Sequence, residues 1–76
     1  MRIEIVNQTG AVLRMNMCVK HEPCFTHGRE YHGLLSDYQA WQMDRFFTPG
    51  SYVYMPGDDY GHHAQYDNGT LYWWEA

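Results

Sequence analysis

Hydrophobic and polar positions alternate from the first residues of the chain. Ile3 and Ile5 are interleaved with Arg2 and Glu4. After a short polar break, Leu13, Met15, Met17 and Val19 are interleaved with polar or small residues. A period of two is the signature of strands with one face buried. The break itself, Gln8-Thr9-Gly10, has the length and the terminal glycine of a three-residue hairpin loop closed by a left-handed residue. That loop sets a register in which Asn7 opposes Ala11, Ile5 opposes Leu13 and Ile3 opposes Met15. The turn chemistry and the hydrophobic pattern therefore predict the same hairpin.

From residue 20 to 33 the alternation lapses. Pro23, Gly28 and Gly33 interrupt the segment, which reads as a loop. The period then changes to that of a helix. Ser36 followed by Gln39 forms a capping box, Asp37 complements the dipole in the first turn, and Thr48-Pro49-Gly50 ends the element. This predicts a helix from about Asp37 to Phe47. At 100° per residue, Ala40, Met43, Phe46 and Phe47 share the face that rests on the sheet. Tyr38 and Trp41 point away, beside Gln42 and Arg45, where a helix buried on one side has no internal use for a tryptophan.

Two further strand signals follow. The run SYVYM at 51–55 is bounded by Gly50 and by Pro56-Gly57. The last segment centres on Asn68-Gly69, the strongest short hairpin signal. It predicts Asp67 against Thr70, Tyr66 against Leu71, Gln65 against Tyr72, Ala64 against Trp73 and His63 against Trp74. One face of this hairpin (Ala64, Tyr66, Leu71, Trp73) reads as core. The other (His63, Gln65, Tyr72, Trp74) reads as a wet aromatic surface. The resulting order, ββ-α-β-ββ, predicts an α+β fold: a small antiparallel sheet with one amphipathic helix packed on one face.

Composition adds three constraints. A chain of 76 residues forms a single domain, 1–76, and buries only about 60% of the surface its unfolded state exposes. Such domains often lean on a disulfide, a metal or a second chain. The seven Tyr, three Trp and three Phe exceed what so small a core encloses, and Tyr and Trp left outside are typical of interface centres. The net charge of −4, with five basic residues scattered along the chain, disfavours duplex nucleic acid and anionic membranes. No apolar stretch has the length of a signal peptide or a membrane span, which predicts a cytoplasmic protein with reduced thiols.

The candidate chemistry lies in two clusters. Cys18, His21, Cys24 and His27 follow one another at intervals of three. Cys and His are zinc ligands, and C-x2-H turns supply them in pairs. Four ligands inside ten residues, however, would staple only one loop, so a site joining separate elements would need His62 or His63 as well. The plainer expectation is loop and strand-end residues with no cofactor. A Cys18–Cys24 disulfide is the remaining alternative. The second cluster is Asp58, Asp59, His62 and His63, which could hold a catalytic metal or act as acid and base. Adjacent strand histidines face opposite ways, however, and no nucleophile elbow, phosphate loop or metalloprotease motif accompanies them. The leading expectation is therefore non-enzymatic: a domain of adaptor, regulator or inhibitor type. It would bind another protein through Trp41 and Trp74, with Tyr38, Arg45 and Tyr72 around them. A symmetric homodimer is a further use for one of these faces. Zinc binding is the alternative, and a small enzyme ranks third.

Overall fold

The computed structural model describes residues 1–24, 28–55 and 62–75, without the side chains of residues 24, 28, 62 and 75. Seven strands and one helix follow in the order β1 (Arg2–Val6), β2 (Val12–Asn16), β3 (Cys18–Cys24), β4 (Gly28–Leu34), α1 (Asp37–Phe46), β5 (Tyr52–Tyr54), β6 (His62–Asp67) and β7 (Thr70–Glu75). The fold is α+β and mostly strand. All strand pairs are antiparallel in one sheet of order β2-β1-β5-β6-β7-β4-β3.

Both hairpins expected from turn chemistry are present in the expected register. Ile3 faces Met15 and Ile5 faces Leu13. The Asn7 amide donates to the Ala11 carbonyl at 3.1 Å, and Gly10 adopts φ 84°. Asn7 Oδ1 also accepts from the amides of Thr9 and Ala11, both at 3.1 Å, which fixes the loop from within. In the last hairpin every pair from His63–Trp74 to Asp67–Thr70 falls where Asn68-Gly69 places it. Those two turn residues have φ 46° and 81°, the doubly positive combination that matches the twist of the flanking strands.

The segment 20–33 corrects the sequence reading. Its described residues, 20–24 and 28–33, are not a loop but most of two paired strands, β3 and β4, so four strands precede the helix rather than two. Two residues that argued against strand serve positional roles here. Pro23 pairs with Arg29; having no amide hydrogen, it takes a position that donates nothing to β4. The alternation of an antiparallel ladder then leaves the backbone groups of Cys18, Lys20 and Glu22 to bond β4. Gly33 lies where a Cβ would collide with Met17 Sδ and stand 3.0 Å from Trp73 Cζ3. The missing side chain is the space those two occupy.

This strand pair also explains the shape of the sheet. β2 and β3 stand at opposite ends of the strand order, yet only Met17 separates them in the chain. Met17 still belongs to the β1 ladder: its amide donates to the Met1 carbonyl at 2.9 Å, and its carbonyl accepts from the Met1 amino group at 3.0 Å. One residue later, Cys18 is paired with Leu34 of β4. A single run of chain therefore serves both edges, and the sheet must curl until they meet. Ile3, Ile5, Val53, Leu71 and Trp73 lie on its inner face without solvent exposure, with Met15, Met17 and Tyr31 nearly so. Tyr31 stacks on Trp73 at 5.6 Å with planes 12° apart.

α1 contributes Met43, also fully buried, to this cluster, and Phe46 and Phe47 pack against it. Its start is built as the sequence predicts. Ser36 Oγ accepts from the Gln39 amide, and Gln39 Oε1 accepts from the Ser36 amide. Among the described residues, no helix is long and apolar enough to cross a membrane.

Candidate functional site

Three further contacts hold α1 against the sheet. At its N-terminal end, Gln39 Nε2 donates to the Asn16 carbonyl at the end of β2. At its C-terminal end, Asn7 Nδ2 donates to the Phe46 carbonyl at 3.3 Å. Between them, the Tyr66 hydroxyl of β6 shares its proton between Asp44 Oδ1 at 2.9 Å and the Ala40 carbonyl at 3.3 Å. The Tyr66 phenol is raised above its ordinary value of 10.0, first by burial and then by the hydrogen bond and negative charge of Asp44.

The opposite side of this anchored helix carries an exposed aromatic ridge. Tyr38 is 67% exposed and Trp41 52%. Their rings lie 6.1 Å apart with planes 11° from parallel. Arg45 Cζ sits 4.0 Å from the centre of the Trp41 ring, and its Nη1 donates to the Trp41 carbonyl at 3.1 Å. Residues three and four apart stack on one side of a helix, so the spacing 38, 41, 45 builds the layer Tyr–Trp–Arg. The cation over the indole face and near the helix C-terminus is favoured twice, by the ring quadrupole and by the helix dipole.

A second aromatic surface occupies the outer face of the sheet. Cross-strand register aligns Tyr52, His63, Trp74 and Glu30 in one row. The Tyr52–His63 ring centres are 5.2 Å apart and those of His63–Trp74 6.4 Å, with tilts of 40° and 31°. The neighbouring row is Gln65, Tyr72, His32 and Lys20, in which His32 meets Tyr72 edge-on at 5.0 Å. His32 Nε2 is enclosed and has no hydrogen-bond partner among the described residues. At the β6 end an open groove of about 430 Å³ runs between Phe47, Pro49, Tyr66, Gln65 and Trp74.

The structure thus brings together Tyr38, Trp41 and Arg45 on the helix, and Tyr72 and Trp74 on the sheet. It adds Tyr52, Tyr54 and His32, which the sequence reading missed. The alternation of SYVYM carried the signal for both tyrosines, since buried Val53 between them sends Tyr52 and Tyr54 outward. No such signal existed for His32 while its segment read as a loop.

Of the Cys/His cluster, the side chains of Cys18 and His21 are described, and these two do not converge. Cys18 and His21 are three apart on one strand and so project from opposite faces. Cys18 is exposed and unbridged, while His21 approaches the Tyr31 ring at 6.1 Å. The Cys24 side chain and His27 lie outside the described residues. Cys18 and Cys24 mark the two ends of β3, roughly 20 Å apart in an extended strand, too far for a disulfide. Of the second cluster, Asp58, Asp59 and the His62 side chain are also outside the described residues, and His63 belongs to the aromatic row. Among the described residues, no three His, Cys, Asp or Glu side chains gather in a group able to hold a metal ion. Comparison with known proteins found no match to any protein-family model, curated protein or solved structure.

Proposed function

We propose that this protein is a non-enzymatic protein-binding domain, of adaptor, regulator or inhibitor type, that inserts the ridge of α1 into a groove on a partner protein. One observation carries the reading: Tyr38, Trp41 and Arg45 form a continuous exposed stack on a helix whose other side is anchored to the sheet. Helix-in-groove recognition uses anchors at i, i+3 and i+7, which is the spacing of these three. Trp, Tyr and Arg are also the residue types that dominate binding energy at interfaces. The anchoring contacts of Gln39, Asp44 and Phe46 support the same reading, because a helix already ordered loses little conformational entropy on docking. Asp37 and Asp44 flank the ridge on a chain of net charge −4, which suits a groove with a basic or mixed rim. The exposed thiol of Cys18 fits a reducing cytoplasm.

The test begins with a photo-crosslinking amino acid at position 38 in the native host, with mass spectrometry to identify the captured protein. Purified partner is then titrated with wild type and Trp41→Ala. The expected loss is at least ~2 kcal/mol of binding, with an unchanged circular dichroism spectrum. Wild-type affinity in the variant would remove the ridge from the interface.

A further inference from the structure

We propose that the outer face of β5, β6, β7 and β4, together with the groove beside Trp74, binds a neutral oligosaccharide. The site shares no residue with the α1 ridge and stands independently of it.

Along its two central rows, ring-bearing residues (Tyr52, His63, Trp74, Tyr72, His32) alternate with or abut hydrogen-bonding side chains (Gln65, Glu30). Aliphatic residues enter only beyond β5, where Val6 and Val12 continue the Tyr52 row onto β1 and β2. From His63 to Glu30 an aliphatic partner or a lipid surface would have to desolvate the polar groups beside the rings, at a cost no new hydrogen bond offsets. A phosphorylated or carboxylated ligand would need cations. Among the described residues the register supplies Lys20 at one margin and, at the other, Arg14 already paired with Glu4, and it sets Glu30 beside Trp74. Aromatic faces with in-register hydrogen-bonding groups and no cationic centre match a ligand that is apolar on its flat face, polar around its edge and uncharged. A pyranose ring has that character: its axial C–H bonds carry slight positive charge and pack on the negative face of an aromatic ring. Its equatorial hydroxyls point sideways to donors and acceptors.

The geometry is of the corresponding size. Tyr52 and Trp74 sit two strands apart, roughly 10 Å, about the length of a disaccharide. His63 bridges them, and the three rings are tilted by 40° and 31° into successive facets. Tyr52 is 40% exposed, His63 is exposed and Trp74 is half-buried, so the first two facets face solvent and the third does so in part. Trp74 and Gln65 belong both to the rows and to the groove of about 430 Å³, a volume within the roughly 300–1,000 Å³ of small-ligand sites. A chain laid on the facets therefore continues into the groove.

The test uses the full chain on an array of neutral and acidic oligosaccharides, followed by titration of the best neutral binder, monitored by tryptophan fluorescence and amide NMR shifts. Binding should weaken at least tenfold in Tyr52→Ala and Trp74→Ala. It should survive in Trp74→Tyr, which keeps a ring, and in Trp41→Ala, which lies on the other surface. Shifts should concentrate on β5, β6 and β7. Three outcomes would overturn the proposal: no neutral oligosaccharide bound above background, a preference for acidic ones, or binding unchanged in both alanine variants. Self-association that Trp74→Ala abolishes would assign the face to a second copy of the chain instead.

Discussion

Met17 packs its thioether over Gly33, in the space a β-carbon would fill. The contact sits where the chain leaves the β1 ladder for the β4 ladder, so it closes the curl of the sheet. A methyl group at position 33 would press on both Met17 and Trp73, which lie on the buried face. Gly33→Ala should therefore cost about 1–3 kcal/mol, read from urea unfolding midpoints. Shortening the neighbour should relieve part of this. Gly33→Ala with Met17→Ala is expected to be less destabilised than the sum of the single variants. Strict additivity would show that the two side chains do not compete for one space.

Trp73 is fully buried between Tyr31 and Ala64, and its Nε1 has no hydrogen-bond partner among the described residues. Two effects oppose one another here. Removing the ring leaves a cavity costing about 3–5 kcal/mol. Burying an N–H without an acceptor, by contrast, costs about 1–3 kcal/mol. Trp73→Phe keeps most of the volume and deletes the stranded donor, so its loss should be much smaller than that of Trp73→Ala. Calorimetric melting of both variants compares them, and equal losses would contradict this account.

Tyr66 links pH to the anchoring of α1. Its phenol is raised in the fold, by burial first and by Asp44 second. The folded state therefore holds this proton more tightly than the unfolded chain does. The associated stability is complete below pH 10 and is lost as pH rises through the folded value. Tyr66→Phe should lower stability at pH 7 by about 1 kcal/mol or less, the worth of a partly exposed hydrogen bond. It should also lose less stability than wild type above pH 10. Parallel alkaline curves for the two proteins would contradict this link.

The cap of α1 offers a local test. Ser36→Ala removes the acceptor for the Gln39 amide and should cost about 1 kcal/mol. Gln39 also donates to the Asn16 carbonyl, so Gln39→Ala should lose both its part of the cap and its tie to β2. Hydrogen exchange in the first turn of α1 should quicken in both variants, and further in Gln39→Ala.

The ends of β3 lead to a chemical prediction. With Cys18 and Cys24 six residues apart on an extended strand, air-oxidised monomer should show no intramolecular disulfide, by intact mass before and after alkylation. A bridged monomer would require β3 to break.

Local sequence was sufficient wherever one turn and one period decided the structure. Gln8-Thr9-Gly10 and Asn68-Gly69 set two registers residue by residue, because loop length fixes pairing and a one-residue slip would turn every side chain to the wrong face. Ser36 and Gln39 likewise announced the start of α1, and the helical spacing of Tyr38, Trp41 and Arg45 put them on its solvent side. The aromatic face of the last hairpin was legible for the same reason. The strand pair β3–β4 was not, since its evidence is non-local. Pro23 and Gly33 look like strand breakers until one is seen at a non-donating position and the other beneath Met17 and Trp73. The row joining Tyr52, His63 and Trp74 and the pairing of His32 with Tyr72 were decided at the same level. Each depends on which strands become neighbours when the sheet curls, and that is set by packing between residues far apart in the chain.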